Sequence, residues 1–273
     1  MADVADLRYA VDSALIADNI TSMRRILHRV DAAGKEANLK LNAKKTKVLH
    51  VTSKFDRNTQ DICVNKTPLE NVDDFKYLGS IKSQDGSSTK DINARIGMAK
   101  NRMVQLNNIW KDHGIPISLK VKLLKCLVWP VLLYGCEAWS QRKTDNKKIE
   151  SCEMWFYRRL LRVKWTDKRT NISILEELGT SRKLLNIITE RKLKYIGHAS
   201  RNQNTNLMTI SFQGKLEANR NKGRPPTTLL SNITDACKLK IHDIARASKD
   251  RQYWRDFVRS CTASNSANGD GDR

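Results

Sequence analysis

Leu7-Arg8-Tyr9-Ala10-Val11-Asp12-Ser13-Ala14-Leu15-Ile16-Ala17 is the stretch on which the fold turns. Strand-like residues stand on both sides of a polar centre, as in a tight β-hairpin. From Asp18 onward the pattern is helical: Ile20, Met23, Leu27, Val30 and Ala37 recur at helical spacing, with Asp18 or Thr21 available as the N-cap. Leu39, Leu41, Val48, Leu49 and Val51 then bracket a basic segment, Asn42-Ala43-Lys44-Lys45-Thr46-Lys47, and read as strand. Residues 61–64 and 75–83 read as further strands, the second ending in a turn at Gln84-Asp85-Gly86.

After Ser88 the periodicity is helical almost throughout. Ile92, Ile96, Ala99, Met103, Leu106 and Trp110 alternate spacings of four and three. Pro116 breaks the chain, and the helix expected from Ser118 must kink or stop at Pro130. A further stripe at Ile149, Cys152, Phe156, Leu160 and Val163 leaves Lys147, Lys148, Arg158, Arg159 and Arg162 mostly elsewhere on the helix circumference. Helices are expected over 181–196, 228–241 and 249–260. Residues 202–226 are polar, basic and aperiodic, which fits a linker or a nucleic-acid loop. The class expected is α+β: hairpins and one helix over 1–87, helices over 88–180, a basic helical region over 181–260 and a disordered tail over 261–273.

Charge narrows the function. The 273 residues carry 50 Lys+Arg against 29 Asp+Glu, a formal net charge of +21. With 40% hydrophobic and 29% charged residues the chain reads as globular, and so large a surplus points to a polyanionic partner. The longest nearly apolar stretch, Cys126 to Cys136, is about half the roughly 20 residues a membrane helix needs and contains Pro130, so no membrane is expected. The N-terminus has no basic start followed by an apolar run, so an intracellular location, nuclear or cytoplasmic, is expected rather than secretion. No two of the six cysteines are spaced as CxxC, and all are expected to be reduced, buried thiols.

The segment from Arg8 to Ala17 resembles the Tyr-Ala-Asp-Asp hairpin of reverse transcriptases, in the version found in non-LTR (LINE-type) retrotransposons. Further matches follow in order. Leu39 to Lys47 resembles the strand after the palm helix, and Phe75-Lys76-Tyr77-Leu78-Gly79 the primer-grip hairpin. Leu132 to Trp139 and Glu153-Met154-Trp155-Phe156-Tyr157-Arg158-Arg159 resemble the helical thumb and connector. Tyr195-Ile196-Gly197-His198, Lys222-Gly223-Arg224-Pro225 and Asp250-Arg251-Gln252-Tyr253-Trp254 resemble the basic C-terminal region of these elements. The resemblance implies a partial palm, then a thumb and a basic helical region, with RNA-directed DNA polymerase as the family activity, Mg²⁺ as its cofactor, and RNA, DNA or an RNA·DNA hybrid as partner.

Two departures limit what is implied. Polymerase chemistry needs two Mg²⁺ about 3.5–4 Å apart, held by hard oxygen ligands. Val11 stands where the family has the first hairpin Asp and offers no oxygen; Asp12 matches the second, as a vestigial catalytic and metal-binding residue. The other carboxylate strand of the family lies upstream of the region matched. The expectation is therefore a truncated, inactive reverse transcriptase that binds no Mg²⁺ productively and retains nucleic-acid binding. A complementary or intact polymerase chain is a possible associate that would supply the missing strand. The alternative is an inert or protein-interacting structural remnant. Nucleic-acid contacts are expected at Lys44, Lys45, Lys47, Tyr77, Gly79, Arg158, Arg159, Arg162 and Arg224, with Tyr157 as the aromatic beside the arginines. The bland readings are a solvated strand edge for the lysines and the wet side of an amphipathic helix for the arginines.

Overall fold

The computed structural model describes residues 6–10, 12–51, 62–64, 67–201 and 227–267, in two units that divide between Gly86 and Ser87. Val11 and the Lys222–Pro225 segment with Arg224 lie outside the described residues.

In the first unit β1 (Asp6–Tyr9) pairs antiparallel with β2 (Asp12–Leu15), with Tyr9 opposite Asp12. Helix α1 (Ile20–Glu36) follows. Asn19 caps it, rather than Asp18 or Thr21: Asn19 is extended, and its side chain accepts from the Ser22 N–H at 2.8 Å. The basic segment does not form the expected strand. Asn42 winds it into a turn, its side chain accepting from the Lys45 N–H at 3.2 Å and its carbonyl from the Thr46 N–H at 2.9 Å. Only Lys47–Val48 (β3) is strand, and it pairs parallel with β6 (Glu70–Asn71). Between them β4 (Cys63–Val64) pairs antiparallel with β5 (Thr67–Pro68).

The apolar pattern over 75–83 reads as one strand and the resemblance implies a hairpin there; the chain forms a hairpin of β7 (Asp74–Tyr77) and β8 (Ser80–Ser83). Leu78 at φ 47° and Gly79 at φ 84° form its two-residue turn. Positive φ at both central residues is the type I′ geometry, whose twist matches the flanking strands and which favours glycine. The core under these small sheets is Leu27, Ile62, Val64 and Leu69, while Leu7, Tyr9, Ile16, Leu39, Val51 and Leu78 are exposed. Two-stranded sheets over so small a core have little to hold them closed.

The second unit is helical. Its main core gathers the expected stripe of α2 (Thr89–Gln105), including Ile92, Ala99 and Met103, with Ile149, Cys152, Phe156 and Leu160 of α6 (Lys143–Leu160). Leu106 ends α2, so Trp110 sits on a separate short helix, α3 (Asn107–Lys111), and its indole N–H donates to the Met103 carbonyl at 2.8 Å. Helix α4 (Ile117–Leu127) stops before Pro130, which falls in the first turn of α5 (Trp129–Leu132), where its missing N–H has no helical acceptor to lose. Helices α7 (Asn171–Glu177) and α10 (Ile241–Ala247), seven residues each, were not expected. They flank α8 (Leu184–Arg201) and α9 (Leu229–Cys237). The last helix, α11 (Arg251–Ala267), runs seven residues past Ser260, so 261–267 are helix instead of the disordered tail.

Helix α8 joins two cores. Leu184 and Ile188 belong to the main one. Leu193 and Ile196 belong to a second, with Ile233, Ile244, Trp254 and Val258. The division therefore falls inside a helix, later than the 180/181 boundary read from sequence. Gly197 is the contact point. A Cβ placed on it would lie 2.2 Å from Trp254 Nε1, and that indole N–H donates to the Leu193 carbonyl at 2.9 Å. Two of the C-terminal motifs, Tyr195–His198 and Asp250–Trp254, are thus halves of one packing contact. Four of the six cysteines are as expected or nearly so, but Cys63 and Cys126 are exposed; all six are free. Among the described residues no helix is long and apolar enough to cross a membrane.

Two outcomes follow from this packing. Amide exchange should be fast over residues 6–86 and slow in α2, α6 and α8, because protection tracks the buried core; equal protection in both units would contradict it. Gly197→Ala should destabilise the second unit by about 1–3 kcal/mol, the usual cost of overpacking, read as a lower denaturant midpoint, because the indole must leave both its seat and its hydrogen bond.

Candidate nucleic-acid interface

The hairpin that carries the resemblance presents Asp12 as an exposed carboxylate opposite Tyr9, itself 66% exposed. Ala10 in the turn has φ 51°. Among the described residues no three His, Cys, Asp or Glu side chains are gathered as a metal site. A pair of Mg²⁺ needs several shared hard oxygens, of which Asp12 supplies one carboxylate.

The primer-grip match has a structural explanation. The Tyr77 hydroxyl donates to the Leu7 carbonyl at 3.3 Å, tying the β7–β8 hairpin to the β1–β2 hairpin, and Gly79 supplies the positive φ of its turn. Lys44 and Lys45 are exposed on the Asn42 turn. Lys47 is not like them: its ammonium forms an ion pair with Glu70 on the neighbouring strand.

The three arginines at the end of α6 differ in their employment. Arg158 donates to the Arg169 carbonyl at 3.1 Å. Arg162 adopts φ 57° just past the helix end, with Nη1 3.1 Å from His113 Nε2 and Nη2 3.5 Å from the Trp110 carbonyl. Lys120, 5% exposed, donates to the same Trp110 carbonyl at 3.0 Å and to that of Asp112 at 2.6 Å. Arg162 and Lys120 therefore close the C-terminal end of α3, where cations are favoured by the helix dipole. Arg159 has no such task; its guanidinium lies 5.4 Å from the centre of the Trp155 ring. Tyr157 is fully buried, with its hydroxyl on Glu153 at 2.9 Å, so it cannot stack on a base. The aromatic on the accessible flank is Trp155, which sequence reasoning passed over although it stands one turn before Arg159.

Buried charges in this unit are occupied with the fold. Glu153, 1% exposed, accepts from the N–H groups of Lys183 at 2.8 Å and Leu184 at 3.2 Å, capping α8; burial raises its pKa against the pull of those hydrogen bonds. Asp145 accepts from the Arg142 N–H and the Thr89 hydroxyl, and Asp91 from the Trp139 indole. Lys192, 3% exposed, donates to Gln141 Oε1 at 2.5 Å and lies 3.3 Å from Asn232 Oδ1; burial pushes its pKa down to about 8. Burial likewise pushes the thiols of Cys136 up to about 11 and of Cys152 and Cys237 up to about 12, which leaves them unreactive as nucleophiles near neutral pH.

A relative aligns with nearly all of the chain. It is 27% identical over 274 residues to an uncharacterized transposon-derived protein of Caenorhabditis elegans, an alignment covering 95% of this chain and 97% of that one. The similarity is to a transposon-derived protein. No protein-family model matches the chain, and no solved structure matches it.

Lys192 gives a pH signature. Its pKa is about 8 folded against an ordinary 10.5, so between these values the unfolded chain binds more protons and stability rises with pH. Well below pH 8 the buried charge is present in both states and Lys192 contributes no slope; above pH 9, ionisation of the buried thiols in the unfolded state acts in the opposite sense. Urea midpoints for the parent and Lys192→Met across about pH 7 to 9 should show the parent gaining stability relative to the variant. Parallel curves would contradict this account.

Proposed function

We propose that this chain is a nucleic-acid-binding protein derived from the reverse transcriptase of a non-LTR retrotransposon, and that it does not polymerise. The observation that carries the binding is the charge surplus of 21, which internal pairing does not absorb. From Arg182 to Arg224 there are ten Lys/Arg and two acids. Clustered cations release condensed counterions from a polyanion, and that entropy supplies sequence-independent affinity. The ordered motif matches and the transposon-derived relative support the origin. The lack of polymerisation rests on Val11, which stands where the resemblance implies the first hairpin Asp and offers no oxygen.

Both parts are open to direct measurement. A primed RNA template with Mg²⁺ or Mn²⁺ and labelled nucleotides should give no extension above a blank; clear template-dependent extension would overturn the inactive reading. Affinity for an RNA·DNA hybrid should fall about 10³-fold between about 50 and 200 mM salt if about six phosphates are contacted. A flat salt response, or no binding at the low-salt end, would favour an inert or protein-interacting remnant.

A further inference from the structure

Helices α2 and α6 lie side by side in one unit. Lys148 Nζ on α6 donates to Asn93 Oδ1 on α2 at 3.1 Å. Seven residues further along both helices, Lys100 Nζ on α2 lies 5.5 Å from the centre of the Trp155 ring on α6. The equal offset means that the two helices run parallel and in step, with about 10 Å between these contacts at the helical rise. Arg159, one turn beyond Trp155, reaches back to the same ring at 5.4 Å. The ring is held edge-on against the fully buried Phe156, centroids 5.7 Å apart, so this half-buried platform is fixed before any ligand arrives.

The charges along this seam lack anions. Among the described residues Arg159 has no hydrogen-bond acceptor and no ion pair for its guanidinium, and its buried Nε has no partner. Lys100 has no acceptor there either, and Lys148 meets only a neutral amide. The acids of the two helices are engaged elsewhere: Asp91 with Trp139, Asp145 with Arg142 and Thr89, Glu150 with Arg182, and Glu153 with the start of α8. A half-buried guanidinium without an acceptor is a costly arrangement that an incoming anion relieves. Two cations on one ring also repel each other until an anion bridges them. The row from Lys148 to Arg159 spans about 16 Å of helix, which suits the repeated charges of a polymer better than one small ion.

We propose that the α2–α6 seam is the track for the phosphates of a nucleic-acid strand, with Lys148, Lys100 and Arg159 as its cations and Trp155 as the platform that holds two of them. This rests on the nucleic-acid reading above and assigns it a place. Arginine and lysine on a fixed aromatic present a forked and a point donor to phosphate oxygens.

The test uses the full chain and a fluorescent RNA·DNA hybrid, titrated at several salt concentrations. Lys100→Gln/Arg159→Gln should weaken low-salt binding at least about tenfold and reduce the salt slope by about two. The exposed pair Lys40→Gln/Lys82→Gln in the other unit, to which no nucleic-acid contact is assigned, should leave both nearly unchanged. Should the double variant fail to fold, acetylation of Lys100 in the parent serves instead: bound hybrid should protect it, and an unprotected Lys100 under saturating hybrid overturns the track. If the parent binds and the folded double variant binds equally well, the track is wrong while nucleic-acid binding stands. If the parent binds no hybrid but binds vesicles containing anionic phospholipid, the reading itself falls and the track with it.

Discussion

The second unit depends on one buried carboxylate. Glu153 projects from α6 into the core and accepts the N–H groups of Lys183 and Leu184, two of the donors that the start of α8 would otherwise leave unsatisfied, together with the Tyr157 hydroxyl. A hydrogen bond to an ionised group contributes about 1.5–3 kcal/mol, and an orphaned buried donor costs a similar amount. Helix α8 in turn contributes to both hydrophobic cores. The direction of α8, and with it the seat that Gly197 offers to Trp254, follows from where that carboxylate sits.

The same economy explains why the surface is so positive. The acids on α2 and α6 face inward or across to other elements, as N-caps, as acceptors for indole and hydroxyl groups, or as the partner of Arg182. Cations on the same helices are left facing solvent with little to neutralise them. Cations elsewhere are recruited to close helix ends, as Lys120 of α4 and Arg162 beyond α6 do at α3. Others, Lys100 and Arg159 among them, rest on an aromatic ring. A basic composition thus resolves into cations with a structural task and cations without one, and no count of charges could separate the two.

Much of the fold was legible because its periods are long. The stripes of α2 and α6 occupy the core as their spacing implies, and the turn at Leu78-Gly79 sits within the motif read as a hairpin. Short elements escaped: seven residues, as in α7 and α10, give a 3.6-residue period barely two repeats. The strand expected around the basic segment formed only at Lys47–Val48, because a local bond from one Asn side chain outweighed flanking apolar residues. Tyr157 and Trp155 show the deeper limit. Each stands one residue, about 100°, to one side of the buried Phe156, so the helical wheel treats them alike. Packing of α8 against the flank with Glu153 buried Tyr157 and left Trp155 accessible, a choice made by tertiary structure alone.

The sharing of α8 between two cores also makes its length a fixed quantity. Ile188 ends the contribution to one core and Leu193 begins the contribution to the other, with four residues between them inside continuous helix. Adding or removing one residue there would turn every later side chain by about 100° and shift it about 1.5 Å. Leu193, Ile196 and Gly197 would leave their partners together. Reading-frame-preserving insertions and deletions, tolerated at many surface turns, would therefore be purged from this stretch even where any single substitution could be absorbed.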